Sequence, residues 1–117
     1  MKSDSLKGLQ GDIRAFAKTR DWDQFHTPKN LSMALSVEVA ELMEHFQWLS
    51  PQQSLTLDPP KLEEVSQEIG DVLIYLTRLA DVLGIDPVDA VFRKMQLNEI
   101  KYPVEKSKGI AAKYTEL

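Results

Sequence analysis

Two short acidic motifs, Glu38-Val-Ala-Glu41 and Glu68-Ile-Gly-Asp71, lie inside strongly apolar stretches, residues 34–49 and 65–83. Each places two carboxylates three positions apart, so each pair shares one face if its segment is helical. A carboxylate is seldom buried without a partner, because its charged form is costly to desolvate. Neither stretch supplies enough Lys or Arg to neutralise four acids. The missing partner is most simply a divalent cation.

The periodicity predicts four helices and no strands, an all-α fold in a single domain spanning residues 1–117. The first covers residues 4–19, with Leu6, Leu9, Ile13, Phe16 and Ala17 as its apolar stripe. Residues 22–29 read as a loop holding Pro28 and two aromatics. The second helix covers residues 30–49, capped by Asn30 or Ser32 and closed before Pro51. Its apolar residues run nearly all the way round, which leaves little free surface and points to the centre of an oligomer. Residues 50–60 read as a loop and residues 61–83 as the third helix, ended by Gly84. The fourth begins with Asp86 as cap and Pro87 in the first turn, and stops before Pro103. Residues 104–117 read as irregular.

A helix turns about 100° per residue, which places side chains by arithmetic. Glu38, Glu41 and His45 fall on one side of the second helix. Glu64, Glu68, Asp71 and Tyr75 form a strip on the third. If the two helices pack antiparallel, the acidic strips face each other across a groove. A Glu-x-x-Glu motif alone is usually a solvated face; two such pairs in apolar sequence shift the balance, although lysines from the tail or another subunit offer an alternative pairing. Hard oxygen donors without cysteine suit Mg²⁺ or Mn²⁺. A di-iron bundle would present Glu-x-x-His, and neither motif ends in His. Lys94, Asn98 and Lys101 share a face of the last helix; Lys94 reads as a solvated base near a helix C-terminus, and Asn98 with Lys101 suits phosphate contact equally well.

Composition narrows the classes. Net charge is −4 over 117 residues, which argues against coating a nucleic-acid polymer through Lys and Arg. The 43% of hydrophobic residues excludes disorder, and the absence of cysteine excludes disulfides and thiolate metal sites. No secretory leader or membrane span is visible, so a cytoplasmic, membrane-free protein is expected.

With these residues in place, the chain resembles the MazG-like superfamily of all-α nucleotide pyrophosphohydrolases. The segments Arg20-Asp21-Trp22-Asp23-Gln24-Phe25-His26, Glu41-Leu42-Met43-Glu44-His45-Phe46-Gln47-Trp48 and Asp71-Val72-Leu73-Ile74-Tyr75-Leu76 are similar to its dCTP pyrophosphatase branch. So are Asn98-Glu99-Ile100-Lys101-Tyr102-Pro103 and Lys113-Tyr114-Thr115-Glu116-Leu117. The resemblance covers nearly the whole chain. It implies a four-helix MazG-like bundle assembled into dimers or a tetramer, with sites at subunit interfaces. It implies Mg²⁺-dependent cleavage of a nucleoside triphosphate between the α and β phosphates, with dCTP or a related nucleotide preferred. Glu38, Glu41, Glu68 and Asp71 match the metal-ligand positions. His26, Trp48, Tyr75 and Asn98 match positions near base and sugar, and Lys101 and Tyr102 positions near the phosphates. Residues 50–60 match no pattern of the family. The competing reading is a catalytically silent helical interaction module, against which the complete acid quartet argues.

Overall fold

The structure, a computed structural model, describes residues 3–117. Its regular elements are all helical: α1 (Leu6–Thr19), α2 (Pro28–Glu44), α3 (Pro51–Ser54), α4 (Pro59–Val82), α5 (Pro87–Lys101) and α6 (Val104–Ser107). Two 3₁₀ turns, Asp23–Phe25 and Tyr114–Glu116, complete them. The chain divides into two compact units, one ending at Ile85 and the other Asp86–Leu117. All four expected long helices are present.

Their boundaries follow local chemistry, and several differ from the sequence reading. The second helix starts at Pro28 rather than Asn30. Thr27, not Asn30 or Ser32, caps it by accepting from the Asn30 N–H at 3.2 Å. Pro28 can take the first position because a first-turn N–H has no helical partner anyway. The same helix ends at Glu44 instead of residue 49. There the bonds shorten to three-residue spacing, from His45 N–H to the Leu42 carbonyl and Phe46 N–H to the Met43 carbonyl, so Trp48 lies in a turn.

The stretch read as a loop, residues 50–60, contains α3. Ser50 and Gln53 form a reciprocal capping box there, with bonds of 3.1 and 2.9 Å. The third long helix begins at Pro59, two residues early, because Asp58 accepts from the Lys61 N–H at 2.9 Å and both prolines occupy the first turn. Gly84 ends it as expected. Its φ of 69° lets the Ile85 and Gly84 N–H groups reach the Ala80 and Asp81 carbonyls. Asp86 caps α5 through Val88 and Asp89. The tail, expected to be irregular, carries α6 and the last 3₁₀ turn.

In the first unit α2 lies along α4, and α1 packs on α4 as well. The pairing is antiparallel: His26, just before α2, meets Arg78, whereas His45 at the other end meets Lys61 and Glu64. Leu31 of α2, at 1% exposure, is the most deeply buried large side chain, and Ala17 of α1 and Val65 of α4 are buried as well. Burying one such leucine contributes roughly 1.5–3 kcal/mol. Much of the remaining apolar surface of α2 stays uncovered, including Met33, Val37, Val39 and Met43. No helix of the described residues is long and apolar enough to cross a membrane.

Candidate functional site

The antiparallel seam brings carboxylates together near its middle. Ligand atoms of Glu38, Glu41 and Glu68 all lie within 4.8 Å of one another. Glu38 Oε2 and Glu68 Oε2 are buried and accept no hydrogen bond. A buried carboxylate oxygen without a donor is costly, and oxygen-only donors at this spacing fit a hard cation. Desolvation pushes the Glu38 carboxyl up to about 7, reinforced by the close approach of the Glu41 carboxylate and the charges of Glu41, Asp71 and Glu68. Asp71 stands outside the tight group, although its charge bears on Glu38.

One flank of the cluster carries bases. His45 lies 3.9 Å from Glu68 and 3.8 Å from Glu64, and Lys61 lies 3.1 Å from Glu64 and 3.3 Å from His45 Nδ1. These bases leave the second oxygen of Glu68 unpartnered.

On the other flank, further along α4, opens a cavity of about 490 Å³. Its walls are mainly apolar and aromatic: Ile13, Phe16, Trp22, Phe25, His26 and Tyr75 are among them. Phe16 and Trp22 meet edge to face at 5.9 Å, and the Trp22 and His26 rings stand 6.3 Å apart. Tyr75 follows Asp71 by one helical turn, so α4 carries acids and cavity wall on successive turns of one face. A flat heterocycle suits such walls, because aromatic faces bind it by stacking.

Arg78 closes this end. It is 7% exposed, and each of its three nitrogens donates one hydrogen bond. Its Nε donates to His26 Nδ1 at 3.1 Å, Nη1 to Asp81 at 3.0 Å and Nη2 to Asp23 at 2.7 Å. Asp81 also receives both donors of the Arg14 fork. The Arg14 bond holds the Asp81 carboxyl below its ordinary range, against desolvation and with help from Arg78. Burial, then the Arg78 charge, lowers His26, with Asp23 opposing.

The structure therefore groups the expected site residues unequally. Glu38, Glu41 and Glu68 form one cluster; His26 and Tyr75 share the aromatic cavity. Trp48 is 86% exposed and borders a different hollow of about 430 Å³, beside His45, Gln53 and Lys61. Asn98, Lys101 and Tyr102 belong to the second unit, where the Lys101 ammonium sits 4.8 Å over the Tyr114 ring and Tyr102 meets Tyr114 edge to face. Arg78, Asp81, Asp23 and Arg14 are not among the residues the sequence predicts for the site. A signal existed: Arg78 extends the strip of Glu68, Asp71 and Tyr75 at helical spacing, inside an otherwise apolar run.

Known proteins share these features. The family model described as MazG-like matches residues 33–117, which contain all four acids. The dCTP pyrophosphatase 1 of Mus musculus is 46% identical over 104 residues, covering 87% of this chain and 61% of that protein. The Homo sapiens protein of the same name is 42% identical over the same length, covering 87% and 61%. The chain thus spans less than two thirds of these curated relatives. A solved pyrophosphatase from Archaeoglobus fulgidus superposes with a TM-score of 0.80 at 45% identity, over 88% of this chain and 96% of that one. A family match across both acid-bearing helices, and a solved relative matched over nearly its full length, establish that this chain belongs to the MazG-like family.

Proposed function

We propose that this chain hydrolyses nucleoside triphosphates between the α and β phosphates, releasing a nucleoside monophosphate and pyrophosphate. The observation that carries the reading is the pair of unpartnered, buried carboxylate oxygens, Glu38 Oε2 and Glu68 Oε2, with an aromatic cavity further along the α4 helix that carries Glu68. The pyrophosphatase names of the relatives point the same way. Glu38, Glu41, Glu68 and Asp71 would hold Mg²⁺, or Mn²⁺ as a cation of the same donor preference. Bound there, the ion supplies Lewis acidity toward the phosphates. Tyr75 and His26 hold the base in the cavity, with Trp22 and Phe16 excluding water around it. In the assembly proposed below, a second copy contributes Trp48, which borders a different hollow in its own chain, and Asn98 to base and sugar, and Lys101 and Tyr102 to the phosphates. The preferred nucleotide in this reading is dCTP or a close relative, and the role is clearing unwanted nucleotides from the cytoplasmic pool.

The residues act as one MazG-like domain of four long helices, since the family match runs through both compact units. We assign the uncovered faces of α2 to contacts between copies, in a dimer or tetramer. Met33, Val37 and Met43 are each more than half exposed in the single chain, more apolar surface than an isolated helix face tolerates. Light scattering should find an oligomer at micromolar concentration, with a Tm that rises with concentration; a monodisperse monomer contradicts the assembly.

The decisive experiment is a panel of nucleoside triphosphates with and without Mg²⁺, analysed for products. Monophosphate and pyrophosphate in equal amounts, only with the cation, are expected. Diphosphate with orthophosphate, or turnover independent of the cation, would overturn the reading.

A further inference from the structure

The His26 ring lines the cavity by virtue of a contact that fixes more than its position. Arg78 can only donate, since a guanidinium carries no acceptor. Its Nε–H points at His26 Nδ1 at 3.1 Å, so Nδ1 must carry the lone pair and the ring proton must reside on Nε2. Arg78 cannot turn away to relax this, because its other two nitrogens are held by Asp81 and Asp23. Asp81 is held in turn by Arg14 on α1. The chain of contacts runs from α1 through α4 to the turn before α2, three elements agreeing on one orientation.

We propose that Arg78 is a positioning residue that sets the neutral Nε2–H tautomer of His26, so that the cavity offers a fixed hydrogen-bond donor and selects a base presenting an acceptor there. Cytosine carries an unprotonated ring N3, an acceptor; thymine carries N3–H at the same place, a donor. A cavity with a locked donor accepts the first and leaves two donors opposed with the second. The inference rests on the proposed nucleotide-hydrolase reading for its substrate and on the Arg78 contact alone for its tautomer. The charged and titratable groups around His26 are Arg78, Asp23, Asp12 and Tyr75. Burial and the Arg78 charge both favour the neutral ring, in agreement with the donor role.

Nitrogen-detected imidazole NMR of the wild-type chain near neutral pH tests the first half without any turnover. The expected spectrum shows a proton on Nε2 and none on Nδ1. A proton on Nδ1, an exchanging mixture or an imidazolium overturns the proposal. Arg78→Met tests the second half. It strands no buried charge, since Asp81 keeps Arg14 and the Asp23 side chain is 53% exposed. In that variant His26 should become a mixture of tautomers, and the ratio of kcat/KM for dCTP over dTTP should fall about tenfold, the scale of one mispaired polar group. An unchanged ratio with a changed tautomer would remove His26 from base selection. An unchanged tautomer would remove Arg78 from its role. If Arg78→Met proves unfolded, His26→Gln and His26→Leu replace it. The amide oxygen of Gln accepts from Arg78 while its NH₂ still donates, so Gln should keep the preference and Leu lose it; equal ratios in both variants refute the inference. Failure of the wild type to hydrolyse any triphosphate would instead defeat the functional reading, leaving the NMR result to stand by itself.

Discussion

The two halves of α4 treat charge in opposite ways. Toward its end, Arg78 and Asp81 sit largely buried, and every guanidinium nitrogen of Arg78 donates to a partner. Near its middle, Glu68 meets Glu38 and Glu41 across the seam, and two carboxylate oxygens accept from nothing. Less than three helical turns separate the arrangements. A satisfied network gives the fold one orientation, whereas a cluster of like charge works against it. The unpaired end is what the proposed cation role requires, and the paired end ties α1, α4 and the turn before α2 together.

That contrast breaks most sharply if neutralising the acids damages the fold. Glu41→Gln or Asp71→Asn should lower activity roughly a hundredfold or more, since an amide holds a hard cation poorly and a catalytic cation supplies several kcal/mol. Both variants should stay folded, with Tm equal to or above that of the wild type in the absence of metal. Near-wild-type turnover removes the ligand assignment; a collapsed fold removes the contrast.

The paired end should respond in reverse. Asp81→Ala leaves Arg78 buried with Asp23 and His26 only, and strands Arg14. Asp23 still compensates Arg78 and Arg14 is exposed, so the cost should fall short of the roughly 3 kcal/mol of a fully stranded buried charge, at about 1–2 kcal/mol. The expected result in urea is a lower midpoint with little change in kcat on saturating substrate. A loss below about 0.5 kcal/mol, the scale of an exposed pair, would mean the network holds nothing together.

The same contrast explains what the sequence made legible. The acid strips were readable because periodicity fixes which residues share a face, and the apolar seam fixes which faces meet. Caps that sit one residue from a proline were readable in part. Asp86-Pro87 is clear, but Thr27-Pro28 and Asp58-Pro59 precede the point where helical periodicity begins, so the pattern points to later starts. The apolar pattern runs on past Glu44 and predicts a helix through Trp48; the unwinding there depends on three-residue hydrogen bonds that no residue type announces. Arg78 was hidden for a different reason. Its partners Asp23, His26 and Asp81 lie 55, 52 and 3 residues away, so only the packed helices reveal that one buried base joins α4 to the turn at 23–26.

The smallest expected effect concerns pH, where the two ends should differ in sign. The Glu38 carboxyl is raised from 4.5 to about 7 in the folded chain. The folded state therefore binds more protons than the unfolded one over that interval. The stabilisation is full below the ordinary carboxylate range and is lost as pH rises through about 7. Asp81 is lowered, so its contribution is present above the ordinary aspartate range and lost as pH falls through its lowered value. His26 is also lowered and contributes in the same sense as Asp81, below the ordinary histidine range. A bare Tm profile mixes these slopes, so the informative quantity is a difference between variants. In metal-free protein, the Tm advantage of Glu38→Gln over the wild type should grow from about pH 5 to about pH 8, as the wild-type carboxylate ionises among its neighbours. Saturating Mg²⁺ should shrink or reverse that advantage, because the cation gives the ionised oxygens the partner they lack. Asp81→Asn, by contrast, should cost most above the aspartate range and respond to Mg²⁺ only as far as the cation stabilises any folded variant. A Glu38→Gln profile parallel to the wild type at every pH would mean that the cluster carries no strain, and that its two unpartnered oxygens are satisfied by water alone.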